Sequence, residues 1–326
     1  MGLIDNHGRS VNYLRLAVTD RCNLRCFYCM PENGIDWLAR KDLMSYEEML
    51  RVCGVLTKMG IEKIRITGGE PFARKDIMGF LTSLSQLDGL KELTLTTNGV
   101  LTEPYIPELK KIGVKSVNLS LDTIDRNRFF SITRRDELPK VLSTMESLLK
   151  HDIAVKINAV VMEGKNTEDI LPLAALTKDY PISVRYIEEM PFNGSDNYNG
   201  LNWDHVRILD KLKESYPDIT KITDPIYSTS YNYQIPHHIG TVGIIAAYTR
   251  SFCGSCNRIR ITPQGGLKTC LYGTDAMNVK DIMRTTPDNQ ALATAILNTL
   301  QHKAKDGWEA EKARNIIGES MAAIGG

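Results

Sequence analysis

The chain has 326 residues, room for about two domains or for one barrel-sized domain with an extension. Forty Lys and Arg against thirty-nine Asp and Glu leave a formal net charge of +1, so no global field holds nucleic acid or an anionic membrane, and an anion must be bound locally. Hydrophobic residues at 42% and charged ones at 24% exclude a disordered, collagenous or fibrous chain. No apolar run approaches the ~18 residues needed to span a bilayer, the nearest being Val242 to Tyr248, and MGLIDNHGRS lacks the apolar stretch of a secretory leader. A cytoplasmic protein with no membrane or nucleic-acid partner is expected.

In chain order, the β-rich runs are Tyr13–Thr19, Lys63–Thr67, Glu92–Thr96, Ser116–Leu121, Ala154–Val161 and Ser183–Glu188. Helical patterns fall between them. Ser45 with Glu48 makes a capping box and Gly60 stops that helix; Asp76–Leu87, Pro104–Ile112, Leu138–His151 and Asp169–Asp179 follow. Alternating strand and helix predict an α/β fold with a parallel sheet, curled into an open barrel or doubly wound, with functional residues at the C-terminal strand ends. Cys22, Gly68-Gly69-Glu70-Pro71, Thr97-Asn98-Gly99, Asp122 and Glu189-Met190-Pro191 all fall at such ends. Trp203–Tyr216 reads as a helix. Residues 218–238 read as a connection with some irregular strand, followed by a polar helical tail ending in Gly325-Gly326. This divides the chain into a core, 1–217, and a C-terminal region, 218–326.

Six of seven cysteines form two triplets: Cys22, Cys26 and Cys29 (C-x3-C-x2-C), and Cys253, Cys256 and Cys270 (C-x2-C-x13-C). Cytosolic thiols stay reduced, so clustered cysteines read as ligands or catalysts. Structural zinc is one reading, although a closed zinc site takes four ligands and each triplet offers three. A [4Fe–4S] cluster with one iron left open is the other. Cys53 lies on a helical apolar stripe with Met49, Val52, Leu56 and Met59 and reads as a buried hydrophobe.

Arg15, Arg65, Lys156 and Arg185 each sit between apolar neighbours in a strand, so alternation sends them to the opposite face. A buried unpaired cation costs several kcal/mol and requires an anionic partner. Arg258 and Arg260, two apart beside the second triplet, share a face if that segment is extended. An outer-face cation or internal salt bridge explains any one of them; together they suggest a polyanionic substrate.

Asp20-Arg21-Cys22-Asn23-Leu24-Arg25-Cys26-Phe27-Tyr28-Cys29-Met30-Pro31 resembles the signature of radical S-adenosylmethionine (SAM) enzymes. With Thr67-Gly68-Gly69-Glu70-Pro71 and the second triplet, the chain resembles the GTP 3′,8-cyclase (MoaA) family of molybdenum cofactor biosynthesis, from Gly8-Arg9 to the terminal Gly-Gly. It departs from the family at Ala17, where serine is usual, and before Ile324, where an aromatic is absent. The resemblance implies a partial (βα)6 TIM-type barrel whose C-terminal extension carries a second cluster.

It also implies roles. Cys22, Cys26 and Cys29 would hold a [4Fe–4S] cluster that chelates SAM, with Tyr28, Gly69, Ser120 and Met190 contacting SAM. Glycine is expected at 69 because the backbone there approaches the methionine moiety closely. Cys253, Cys256 and Cys270 would hold a second [4Fe–4S] cluster that binds guanine. Arg15, Arg65, Thr96, Lys156, Arg258, Ile259 and Arg260 would contact GTP, with Arg15, Arg258 and Arg260 catalytic and Arg185 a phosphate contact. The implied lyase reaction takes hydrogen from C3′ of GTP and joins C3′ to C8. Its implied partners are an external one-electron donor, cyclic pyranopterin monophosphate synthase as product acceptor, and a second copy of the chain in a homodimer. Rival readings are a radical SAM enzyme that modifies a peptide and a zinc-stabilised binding protein.

Overall fold

The structure, a computed structural model, describes residues 2–31, 35–191, 200–313 and 320–324. An antiparallel ribbon, β1 (Leu3–Ile4) with β2 (Ser10–Val11), precedes the six expected strands. These are β3 (Tyr13–Ala17), β4 (Lys63–Thr67), β5 (Glu92–Thr97), β6 (Ser116–Ser120), β7 (Ala154–Val161) and β8 (Ser183–Glu188), parallel neighbours in that order. The helices that return the chain are α1 (Tyr46–Lys58), α2 (Ile77–Ser85), α3 (Ile106–Lys111), α4 (Arg126–Thr133), α5 (Leu138–Lys150), α6 (Ile170–Asp179) and α7 (His205–Ser215). Of these, α4 is not apparent in the sequence: its short stripe offers Phe129 and Ile132, and it is started by Asp125, whose carboxylate accepts from Arg128 N at 2.8 Å.

The later residues extend both edges of the same sheet. They supply β9 (Thr220–Lys221), β10 (Ser230–Gln234), β11 (Thr241–Ile245), β12 (Arg258–Ile261), β13 (Gly266–Lys268) and β14 (Met277–Asn278). β11 pairs parallel to β8 and β12 parallel to β3, so eight parallel strands run β12-β3-β4-β5-β6-β7-β8-β11. Antiparallel β13–β14 and β10–β9 continue beyond them. The outermost strands, β14 and β9, do not pair with each other, which leaves the twelve-stranded sheet an open, partial barrel. Helices α8 (Val279–Thr285), α9 (Asn289–Leu300), α10 (Gly307–Lys312) and α11 (Met321–Ile324) complete the C-terminal part.

Alternation sorts the strand residues sharply. Leu14, Leu16, Ile64, Ile66, Leu95, Leu119, Ile157, Val184, Ile244 and Ile259 are buried under the helices in one continuous core. Each such side chain contributes about 1.5–3 kcal/mol by leaving water. Cys53 is fully buried in α1 within that core, and burial pushes its thiol up to about 12, as suits a small hydrophobe.

Helix α1 shows how locally these elements are set. Ser45 Oγ accepts from Glu48 N at 3.2 Å while the Glu48 carboxylate accepts from Ser45 N at 2.8 Å, and beyond the Met59 cap Gly60 takes φ +112°. Ser45→Ala removes one half of this reciprocal pair and should lower stability by about 1 kcal/mol, read as a lower urea midpoint at unchanged slope.

Candidate active site and cysteine centres

The loop after β3 carries Cys22, Cys26 and Cys29 and is pinned on several sides. Arg25 N and Phe27 N donate to Thr133 O and Ile132 O, at 3.0 and 3.2 Å, at the end of α4. Gly69 N and Glu70 N donate to Thr19 O and Arg21 O, both at 2.8 Å, tying the loop to the end of β4. A Cβ on Gly69 would fall on the backbone of Asp20 and Arg21. Glycine at 69 therefore has a reason within the chain itself, the close approach of the cysteine loop. Asn98 completes the frame, its Nδ2 standing 2.9 Å from Asn23 Oδ1 and 3.6 Å from Cys22 Sγ.

Two buried carboxyls flank this loop. Glu70 accepts from Asn98 N at 2.8 Å, Phe72 N at 3.1 Å and Thr97 Oγ1 at 2.9 Å, yet burial outweighs these bonds and lifts it to about 7. Asp122 accepts from Tyr28 Oη and Val160 N, each at 2.8 Å, and burial lifts it to about 6. Burial likewise raises all three thiols: Cys22 to about 11 with Glu70 adding to the effect, Cys29 to about 12 with Cys22 adding, and Cys26 well above its ordinary value with Asp122 adding. The acids disfavour bare thiolates, which a cationic metal centre would stabilise.

The cations converge on the concave face. Strand register aligns Arg260 with Arg15 and Arg15 with Arg65, and on the neighbouring row Arg258 with Tyr13 and Tyr13 with Lys63. Asn118 is level with Lys156, and Asn158 with Arg185. Burial alone would raise Tyr13, but Arg65, Arg15, Lys63 and Arg258 outweigh it and bring Tyr13 below its ordinary value. Burial lowers Arg15 to about 10 despite Tyr13, lowers Arg185 to about 10 with Arg65 adding, and lowers Lys156 to about 8 with Arg185 adding. Arg15 Nε, Arg185 Nε, Thr96 Oγ1, Asn118 Oδ1 and Asn158 Oδ1 are buried with no partner among the described residues.

Cys253 and Cys256 bracket a single 3-10 turn before β12, and Cys270 follows β13. Here the three thiols divide: burial raises Cys253 and Cys270 as at the first triplet, and Cys256 departs from them. Burial pushes Cys256 up, but Lys303 and Arg258 outweigh it and bring the thiol to about 7. Arg9 Nη1 donates to Cys253 O at 3.1 Å, and Lys303 Nζ lies 3.9 Å from Cys256 Sγ.

Both triplets line one cavity of about 480 Å³, together with Tyr28, Gly69, Ser120 and Met190 near the first, and Arg15, Arg65, Thr96, Lys156, Arg185, Arg258 and Arg260 between the two. The Ile259 side chain lies level with Leu14 in the helix-covered core, which leaves its main chain as the part that can meet a substrate. The chain's end returns to the first triplet, where Ser320 Oγ donates to Cys29 O at 2.5 Å, and Ile324 packs against Tyr272 and Ala310. Gly325 and Gly326 lie outside the described residues. Among the described residues no three His, Cys, Asp or Glu converge to hold a single metal ion. Three free thiols on one wall of a cavity fit the cysteine ligand set of an iron–sulfur cluster. The unpartnered atoms of Arg15, Arg185, Thr96, Asn118 and Asn158, with the cations beside them, suit a polyanion with hydrogen-bonding groups.

Asp122 and Asn98 stand at strand ends where functional residues are expected, whereas Asn118, Asn158, Arg9 and Lys303 are not among the expected site residues. The alternation rule that exposed the cations also selects Asn118 and Asn158. Lys303 reaches the site from a turn with no sequence signal. No helix among the described residues is long and apolar enough to cross a membrane.

Comparison with known proteins agrees with this geometry. The family model for the radical SAM superfamily matches residues 16–177, and that for molybdenum cofactor synthesis C matches 182–308. The chain is 41% identical over 331 residues to the GTP 3′,8-cyclase of Geobacter sulfurreducens, covering 100% of each. It is 38% identical over 302 residues to the mitochondrial GTP 3′,8-cyclase of Arabidopsis thaliana, covering 92% of this chain and 77% of that one. Among solved structures, Streptococcus suis SuiB bound to S-adenosylmethionine superposes with a TM-score of 0.62 at 16% identity. That match covers 82% of this chain and 62% of SuiB, and it shows the likeness of fold.

The Glu70 carboxyl generates a pH prediction. Its folded pKa of about 7 lies above its ordinary 4.5, so its contribution to stability is present below 4.5 and is lost as pH rises to about 7. The loss should be on the order of 2 to 3 kcal/mol in the metal-free chain. Urea midpoints at pH 5 and pH 7.5 should therefore differ less in Glu70→Gln than in the unaltered chain.

Proposed function

This chain belongs to the GTP 3′,8-cyclase family of the radical SAM superfamily, and on that footing we propose how its residues divide the reaction that begins molybdenum cofactor biosynthesis, the conversion of GTP to (8S)-3′,8-cyclo-7,8-dihydroguanosine 5′-triphosphate. The observation that carries the reading is a single cavity with a cysteine triplet at each end and cations between them. Cys22, Cys26 and Cys29 would hold the cluster that binds SAM, and Cys253, Cys256 and Cys270 a second [4Fe–4S] cluster that receives the guanine. Bound there, the first cluster and SAM would supply the hydrogen-abstracting chemistry that joins C3′ of GTP to C8, an external donor giving the one electron, with a proton, that the product requires.

The chain's own residues bind and orient. The hydroxyl of Tyr28 is committed to Asp122, which leaves its ring and peptide groups for SAM, beside Gly69, Ser120 and Met190. Arg15, Arg65, Lys156 and Arg185 face the same cavity and supply the charge for a triphosphate, while Arg258 and Arg260 stand on β12 near the second triplet. Thr96 Oγ1, buried and unpartnered, offers a hydrogen bond to the same nucleotide. Opposed charges at fixed positions orient C3′ toward the first triplet without ordering new groups when substrate arrives.

Further parts of the proposal are a core at 1–217, an extension at 218–326, an external one-electron donor, a homodimer, a cytoplasmic setting and cyclic pyranopterin monophosphate synthase as the acceptor of product.

Two experiments test the reading. GTP deuterated at C3′, turned over anaerobically by the reconstituted enzyme, should pass its label to 5′-deoxyadenosine, whereas product formed without transfer contradicts abstraction at C3′. Cys26→Ser should abolish SAM cleavage. Cys256→Ser should retain uncoupled cleavage and lose cyclisation, and normal product formation by it would contradict a guanine site at the second triplet.

A further inference from the structure

We propose that Lys303, held in place by Arg9, is a positioning residue that raises the reduction potential of the cluster on Cys253, Cys256 and Cys270; this rests on the second-cluster reading above. Lys303 is 2% exposed, an uncommon state for a lysine without an ionic partner. Its Nζ donates to Arg258 O at 2.7 Å and stands 3.9 Å from Cys256 Sγ. No carboxylate is within ion-pair distance of it among the described residues, so the nearest group able to carry negative charge is the Cys256 sulfur.

The backbone that carries this lysine is fixed to the loop it serves. His7 Nε2 is hydrogen-bonded to Lys303 O at 2.9 Å. Arg9 Nη2 donates to Ala304 O at 2.8 Å, and Arg9 Nη1 donates both to Lys305 O at 2.7 Å and to Cys253 O at 3.1 Å. Arg9 is itself held by the buried Asp5 carboxylate at 2.7 Å. One guanidinium therefore spans the turn after α9 and the Cys253 peptide, which keeps the ammonium at a set distance from Cys256.

Adding one electron makes a cluster one unit more negative. A cation and N–H donor fixed beside a ligand sulfur stabilises that reduced state and raises the potential. At the first triplet, beside Glu70 and Asp122, the side-chain N–H that reaches a sulfur among the described residues is the neutral Asn98 amide, while the Arg25 guanidinium is turned to the Cys22 and Leu24 carbonyls. A second cluster that is the easier of the two to reduce would retain an electron while the first is used for SAM cleavage.

The test is an anaerobic redox titration of the reconstituted full chain followed by electron paramagnetic resonance, with the SAM-perturbed signal marking the first cluster. Lys303→Met should keep about eight irons per chain, two four-iron clusters, and shift the second midpoint negative. The expected shift is about tenfold in the reduction equilibrium, ~59 mV for one electron, with the first midpoint unchanged. Lys303→Gln, which keeps an N–H but no charge, should fall between. Full iron with an unmoved second midpoint overturns the inference, and loss of iron from both variants overturns it in favour of a purely structural lysine. About four irons in the unaltered chain would instead overturn the second-cluster reading.

Discussion

The two-residue period of a β-strand is the constraint from which the rest of this molecule follows. Helices cover one side of eight parallel strands, so every second residue must be apolar, and Leu, Ile and Val occupy those positions almost without exception. The residues between them face a space that an ordinary barrel fills with branched aliphatics. Here the space receives Arg15, Arg65, Lys156, Arg185 and Arg260. Two unit charges about 5 Å apart at an effective dielectric of 20 repel by on the order of 3 kcal/mol, so neighbouring rows such as Arg260, Arg15 and Arg65 oppose folding. The apolar face carries the fold's stability, and the concave face spends part of it on a site already arranged for a polyanion.

That division explains what could be read in advance. The strands, the Ser45 cap and the face of each strand cation depend on local periodicity, and they emerge within one or two residues of their expected bounds. The Gly69 contact does not, because a strand-end glycine opposite the Asp20–Arg21 backbone looks the same in sequence as one opposite a ligand. Ile259 is instructive in the other direction: Arg258 and Arg260 are cavity residues by alternation, and the same alternation places the residue between them in the core. β11 and β12 were harder, since short strands from distant segments join opposite edges of the sheet only once the six-strand core exists to receive them. Lys303 lies beyond any local rule, being 47 residues from the cysteine it approaches.

The two cysteine triplets share a cavity, and burial raises five of their six thiols, Cys256 being the exception. Around the first, buried carboxyls and low exposure hold the thiols protonated until a metal centre displaces the protons. Around the second, Lys303 and Arg258 favour the thiolate at Cys256 before any metal is present. The same chain of thiols, placed in these two settings, would bind metal with different proton release and hold electrons with different tenacity. Position along the sheet produces the difference: the first loop follows β3 toward the ends of β4 to β6, where Glu70 and Asp122 cap strands, while the second precedes β12, whose arginines belong to the cation row.

Both termini take part in joining these settings. The N-terminal turn, through Asp5 and Arg9, grips the peptide of Cys253 and the turn after α9. The C-terminal segment places Ser320 on Cys29 O and Ile324 in a small apolar cluster with Tyr272, against which Met190 and Cys270 pack. An open sheet whose edge strands never meet has no hydrogen-bonded seam to fix the width of its cavity. Contacts from the N-terminal turn and from residues 320–324 to the cysteine loops supply that missing restraint, and they do so while leaving the cavity between the triplets open.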